Sequence, residues 1–169
     1  PLDHDQLLRV AGEIGSDVPF FLEGPAAMVG GRGEVLDSFV PPRTWWVLLV
    51  DPGFGISTRE AFGWFDAGGY LRKPWSPDLS VRERFAHGRP AQWGFSNSFT
   101  EVLSARYPEL GSICDAMTCA KLASVTGSGS VCFGLFDRYE EAARAAAGLS
   151  GYRSWVKETL ASSPGAVLQ

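Results

Sequence analysis

The chain has 169 residues, 45% of them hydrophobic and 20% charged, with a net charge of −4 from 15 basic and 19 acidic side chains. That is the balance of a folded globular protein of one domain, or one domain and part of another, and it carries no basic stripe of the kind a nucleic-acid binder shows. The longest apolar run, residues 45–50, is six residues long, against the roughly 20 that cross a bilayer, and no charged start leading into an apolar core reads as a signal peptide. Cys114, Cys119 and Cys132 contain no C-x-x-C pair, and His4 and His87 lie far apart. Neither a zinc site nor a disulfide framework is expected from that pattern. Reduced thiols acting as small core residues are the expectation instead.

In chain order, Asp3 is a candidate N-cap for a helix whose Leu7, Leu8, Val10, Ala11 and Ile14 recur at helical spacing, with Gly15 as its stop. Gly15-Ser16-Asp17-Val18-Pro19-Phe20-Phe21-Leu22 then reads as a turn entering an apolar stretch. Residues 26–29 and 34–36 read as short strands around Gly30-Gly31-Arg32-Gly33, and Pro41-Pro42 marks a break and a domain boundary. Residues 45–50 read as a buried strand ended by Asp51-Pro52-Gly53, followed by a helix with Thr58 as its cap and Ala61, Phe62 and Phe65 on one side. Residues 66–95 read as loop at both ends, with a short helix near 80–85. Helices are predicted over 98–107 and 109–117, separated by Pro108, then strands over 121–125 and 130–136 around Thr126-Gly127-Ser128-Gly129. A helix over 139–147 stopped by Gly148 and a last strand over 152–159 complete the series. From residue 44 the order is that of an α+β fold, a mixed sheet with helices on one face.

Two segments can carry chemistry. Asp17 sits between a helix-ending glycine and an apolar run, where a carboxylate can orient or deprotonate a hydroxyl, worth roughly 10²–10⁴-fold in rate. A turn aspartate bonded to its own backbone fits the same spacing. In Thr126-Gly127-Ser128-Gly129-Ser130, two glycines let backbone N–H groups face an anion, but a plain hairpin needs the same residues. The loop matches neither G-x-x-x-x-G-K-[ST] nor G-x-G-x-x-G. Arg32 is either a phosphate partner or a solvated side chain, and no G-x-S-x-G supports serine hydrolase chemistry.

Taken in order, four segments resemble the GHMP kinase superfamily, and within it the kinases of 4-diphosphocytidyl-2-C-methyl-D-erythritol. They are Gly15-Ser16-Asp17-Val18-Pro19-Phe20-Phe21, Gly31-Arg32-Gly33-Glu34-Val35-Leu36, Pro52-Gly53-Phe54-Gly55-Ile56-Ser57-Thr58, and Thr126-Gly127-Ser128-Gly129-Ser130-Val131-Cys132-Phe133. The resemblance implies phosphoryl transfer from ATP, with Mg²⁺, to the free C2 hydroxyl of the methylerythritol part, a step of the non-mevalonate isoprenoid pathway in a bacterial cytoplasm or a plastid stroma. It implies that Asp17 is the catalytic aspartate, and that Gly127, Ser128 and Gly129 form the loop beside the transferred phosphoryl group. Gly127, Gly129 and Thr58 would also touch substrate, and Phe62 falls where an aromatic ring meets the cytosine, although a core role fits a helix-face Phe equally. No metal ligand is assigned.

Departures from the family pattern shape the expectation. The P-x-x-x-G-L-G-[GS]-[GS]-S loop that holds ATP and the segment with the catalytic lysine are absent from these residues. Residues 1–43 are therefore expected to be the tail of the N-terminal, ATP-binding domain and 44–169 the C-terminal GHMP kinase domain, with a missing N-terminal half as partner. Asn97-Ser98-Phe99-Thr100 stands where the family shows Asn-Asp-Leu-Glu, so both carboxylates are gone. Two other readings remain: a non-catalytic fragment that only binds substrate or its missing half, and a GHMP kinase acting on homoserine, mevalonate or a sugar.

Overall fold

A computed structural model of the chain describes residues 2–31, 33, 35–69, 83–85, 90, 93–95 and 97–161. By its internal packing the chain divides into two units: Pro1–Thr44 with Trp75–His87 and Leu160–Gln169, and Trp45–Pro74 with Gly88–Thr159. Among the described residues no helix is long and apolar enough to cross a membrane.

The first unit begins with α1 (His4–Ile14). Asp3 caps it reciprocally: its Oδ1 accepts from the Gln6 N–H at 2.8 Å and the Gln6 side chain accepts from the Asp3 N–H at 3.0 Å, so two otherwise orphaned donors are satisfied. The apolar stretch after Pro19 is a single helical turn, α2 (Phe20–Glu23). β1 (Ala26–Gly30) and β2 (Val35–Phe39) then pair as an antiparallel hairpin. Glu23 joins these pieces, lying 3.2 Å from His4 Nε2 and accepting from the Ser38 hydroxyl at 3.4 Å. A helical turn at 83–85 brings Phe85 edge-on to Phe39, with centroids 5.1 Å apart; the rest of the short helix expected near 80–85 lies outside the described residues.

The second unit is built on β3 (Trp46–Asp51), which is central in a four-stranded sheet of order β4-β5-β3-β6, with β4 at Leu122–Val125, β5 at Cys132–Phe136 and β6 at Arg153–Glu158. All its pairings are antiparallel, so the sheet expected as mixed is not. The reason is topological: β4 and β5 are joined by a hairpin, and the crossover from β5 to β6 skips over β3, which runs against both. Among the described residues, four helices accompany the sheet: α3 (Thr58–Ala67), α4 (Thr100–Arg106), α5 (Pro108–Ala116) and α6 (Tyr139–Gly148). Pro108 does not separate α4 from α5 but opens α5 at a first-turn position, where its missing N–H costs no hydrogen bond. Gly148 lies inside α6.

One face of the sheet holds the core. Leu48 and Val50 alternate with half-exposed neighbours on β3, and with Cys132 and Phe136 of β5 they pack with Leu103, Leu110, Ile113 and Met117 from the helices. Gly134 belongs to this face, and a Cβ there would sit 2.6 Å from Met117 Sδ, so the missing side chain is what lets Met117 settle against the sheet. Cys132 fits the core role expected of the thiols, with 0% exposure, whereas Cys114 is half-buried and Cys119 is exposed. Cys119 lies in the turn after α5.

Candidate functional site

In the first unit Asp17 lies on the turn between α1 and α2, which is closed by the Val18 N–H on the Gly15 carbonyl at 3.1 Å. Its side chain is exposed and lines a pocket of about 360 Å³ with Phe20, Phe21, Ala27, Val29 and Gly33. Gly33 closes the β1–β2 hairpin through its N–H on the Gly30 carbonyl at 3.0 Å, with φ of 126°. A Cβ on it would lie 2.8 Å from Asp17 Oδ1 and 2.9 Å from the Ser16 carbonyl oxygen. The second glycine of Gly31-Arg32-Gly33 is therefore what admits the hairpin turn to the aspartate. That connects two of the four sequence segments physically. Arg32 and Glu34, singled out in the sequence, lie outside the described residues.

The second unit contains Thr58, Phe62, Gly127, Ser128 and Gly129. The β4–β5 connection is a tight loop: Thr126 N–H donates to the Val131 carbonyl and Gly129 N–H to the Thr126 carbonyl, each at 2.8 Å. Gly127 and Gly129 take φ of 48° and 87°, a region side chains avoid. At Gly129 space is also short, since a Cβ would meet Ile56 at 3.1 Å, Leu103 at 3.2 Å and Val125 at 3.4 Å.

The segment before α3 clasps this loop. Ser130 Oγ donates to the Phe54 carbonyl, and Thr58 Oγ1 shares a hydrogen bond with Ser128 Oγ at 2.9 Å. Thr58 was expected as the helix cap. The cap position belongs to Ser57, which makes no side-chain capping bond, and Thr58 is the first helical residue with its hydroxyl turned to the loop. One turn further along α3, Phe62 is 42% exposed and meets Phe99 edge-on with centroids 5.0 Å apart. Ala61 and Phe65, its helix neighbours, are buried instead, and Trp64 is partly buried, so Phe62 is the most exposed ring of that helix.

Asn97 is the residue that sequence reasoning passed over. Its Nδ2 donates to the carbonyls of both Val125 and Gly127 at 2.8 Å, and its Oδ1 accepts from the Phe99 N–H at 2.9 Å. The retained amide of Asn97-Ser98-Phe99-Thr100 was the available signal, hidden behind the two lost carboxylates. Asn97, Phe99, Val125 and Gly127, with Phe95 and Phe133, line an open pocket of about 480 Å³. The N–H groups of Gly127 and Ser128 have no acceptor among the described residues, which is the donor arrangement an anion takes. No group of three or more His, Cys, Asp or Glu able to hold a metal ion occurs among the described residues.

The family profile for the C-terminal region of GHMP kinases matches residues 83–152. The 4-diphosphocytidyl-2-C-methyl-D-erythritol kinase of Thermodesulfovibrio yellowstonii is 31% identical over 165 residues, covering 94% of this chain and 58% of its own length. The kinase of the same name from Geobacter metallireducens is 32% identical over 158 residues, with 91% and 54% covered. A crystal structure of 4-(cytidine 5'-diphospho)-2C-methyl-D-erythritol kinase superposes with a TM-score of 0.72 at 27% identity, over 93% of this chain and 57% of that one. L. major mevalonate kinase, at 14% identity and a TM-score of 0.65 over 98% and 60% of the two chains, shares the fold. The chain thus spans a little over half the length of the curated relatives it matches. Fold and sequence agree on what the matched region is: the chain carries a GHMP kinase C-terminal domain.

Proposed function

We propose that this chain supplies the acceptor-side aspartate and the glycine loop of an ATP-dependent kinase acting on the C2 hydroxyl of 4-diphosphocytidyl-2-C-methyl-D-erythritol. The observation that carries the reading is the loop at residues 126–130, clasped by Thr58, Asn97 and the Phe54 carbonyl, with two of its backbone N–H groups left for an anion. The names of relatives matching about nine-tenths of the chain support the choice of substrate.

Phosphoryl transfer asks a protein for positioning and for stabilisation of charge on the transferred oxygens. Asp17 accepts a hydrogen bond from the acceptor hydroxyl, orients it and takes its proton as the oxygen attacks. Gly127 and Ser128 direct N–H donors at phosphate oxygens, which cost no reorganisation because the loop is already folded. Thr58 holds Ser128, and Phe62 offers its ring to the cytosine. ATP supplies the phosphoryl group. No P-x-x-x-G-L-G-[GS]-[GS]-S loop occurs in these residues, so in this reading the triphosphate and its Mg²⁺ would be held by residues outside them. No partner among nucleic acids or membranes is invoked, and the pathway places the enzyme in a bacterial cytoplasm or a plastid.

The test is ADP release from Mg-ATP with 4-diphosphocytidyl-2-C-methyl-D-erythritol, for the chain alone and for the chain joined to the ATP-binding half of the G. metallireducens relative. Turnover is expected only in the second case. There, Asp17→Asn is expected to lower kcat by at least about 10²-fold with little change in melting temperature. Near-normal turnover of that variant removes Asp17 from the chemistry. Turnover on homoserine or mevalonate but not on the cytidyl substrate moves the protein to another branch of the superfamily.

A further inference from the structure

We infer that Asn97 is a positioning residue that aims the glycine loop, an assignment that rests on the kinase reading for its catalytic consequence but not for its geometry. A neutral amide has two N–H donors and one carbonyl oxygen. Asn97 uses all three functions: both donors on the carbonyls of Val125 and Gly127, and the oxygen on the Phe99 N–H. One side chain therefore ties the loop to the start of α4.

The direction of those bonds matters more than their number. In a trans peptide the C=O and the following N–H point to opposite sides. Turning the Gly127 carbonyl onto Asn97 therefore turns the Ser128 N–H away from it, where no described residue accepts it. Turning the Val125 carbonyl the same way leaves the Thr126 N–H to close the loop on Val131 at 2.8 Å. Without the amide, the Gly127–Ser128 peptide is free to rotate at a glycine with φ of 48°, and a carbonyl oxygen can replace the N–H at the place a phosphate would occupy. The other end of the amide fixes the backbone of Phe99, whose ring stands edge-on to Phe62 at 5.0 Å and to Phe65 at 5.8 Å. The anion donors and the exposed aromatic ring are thus referenced to one residue.

Asn97→Asp separates the two ends. It keeps the oxygen that accepts from Phe99 and replaces the NH₂ with an oxygen facing two carbonyls, so only the loop side is lost. In the 169-residue chain, amide hydrogen exchange at Thr126 and Gly129 is expected to quicken by at least about tenfold, while exchange at Phe99 stays within about threefold of wild type. In the kinase with its ATP-binding half present, kcat is expected to fall roughly 10–100-fold, with KM for the cytidyl substrate within about threefold, because a misaimed donor costs more in the transition state than in the ground state. Unchanged exchange at Thr126 and Gly129, or a kcat within twofold of an active wild type, overturns the assignment. So does a loss that falls on KM alone. If the unmutated kinase itself turns over nothing, the functional reading has failed and the exchange experiment still decides whether Asn97 holds the loop. Should Asn97→Asp not fold, Asn97→Ala, which places no charge there but removes both ends of the amide, is measured by the same readouts, and exchange at Phe99 is then expected to quicken together with that at Thr126 and Gly129.

Discussion

Replacing Gly33 with alanine puts a methyl group where the structure has no room for one. The position has φ of 126°, and the new Cβ would lie 2.8 Å from Asp17 Oδ1 and 2.9 Å from the Ser16 carbonyl oxygen. Holding a non-glycine residue in that backbone region costs about 1–3 kcal/mol. Overlap with a backbone oxygen, which cannot swing aside as a side chain can, costs a further 1–3 kcal/mol or so. Melting temperature should then fall by roughly 4–24 °C, taking about 2–4 °C per kcal/mol for a chain of this size. Moving the Asp17 carboxylate away from the hairpin relieves only the side-chain part of the overlap, so it lessens the loss of stability and reduces turnover as well. The assay therefore needs two readouts on the same variant, a thermal melt of the chain and kcat of the kinase with its ATP-binding half. Gly12→Ala is the control: nothing lies within 4 Å of its Cβ position on α1, and a helical Gly-to-Ala change should stabilise by up to about 1 kcal/mol. A Gly33→Ala protein with a melting point within about 2 °C of wild type and full turnover would refute the contact between hairpin and aspartate.

Asp51, at the end of β3, meets its register partner Arg153 on β6. The hydrogen bond from Arg153 first, and the Gly53 N–H second, hold its carboxyl below the ordinary value of 3.8. A depressed folded-state pKa adds stability that is present above the unfolded value and disappears as pH falls through the folded one. The melting-point difference between wild type and Asp51→Asn should therefore be steady near neutrality and vanish in acid below that window; a difference unchanged at about pH 2 contradicts it. Thiol labelling should follow exposure and protonation together. Cys119 is exposed and should react first, whereas the hydrogen bond to Cys114, with burial added, pushes the buried Cys132 thiol far above its usual range. Equal labelling rates at Cys119 and Cys132 in the folded chain would contradict that order.

Elements specified by neighbours in sequence were the legible ones. The cap of α1 needs only Asp3 and Gln6, three residues apart, and β3 declares itself as an uninterrupted apolar run because both of its edges are paired and its core face is filled. α2 was hidden by its brevity, since Phe20-Phe21-Leu22 has the composition of a strand and one helical turn is too short to show a period. The antiparallel pairing throughout the sheet depends on which strand the crossover skips, and no local pattern records that.

The same distinction runs through the candidate site. The glycines were visible because backbone conformation restricts residue type, and the structure adds a steric reason at Gly33, where the Ser16 carbonyl oxygen lies too close for a Cβ, and a tight fit at Gly129. Thr58 and Asn97 were misjudged for a common reason. Each is a residue that ordinarily satisfies its own local backbone, and each also reaches across the fold: Thr58 by 70 positions to Ser128, and Asn97, while its Oδ1 keeps the local bond to Phe99, by 30 to the Gly127 carbonyl. A cap that is not used as a cap leaves Ser57 without a side-chain bond and α3 with an unassisted first turn, a modest local cost, about 1 kcal/mol. That the hydroxyl serves the loop in preference to the helix end indicates that loop rigidity, more than helix stability, is what these side chains have been placed to secure.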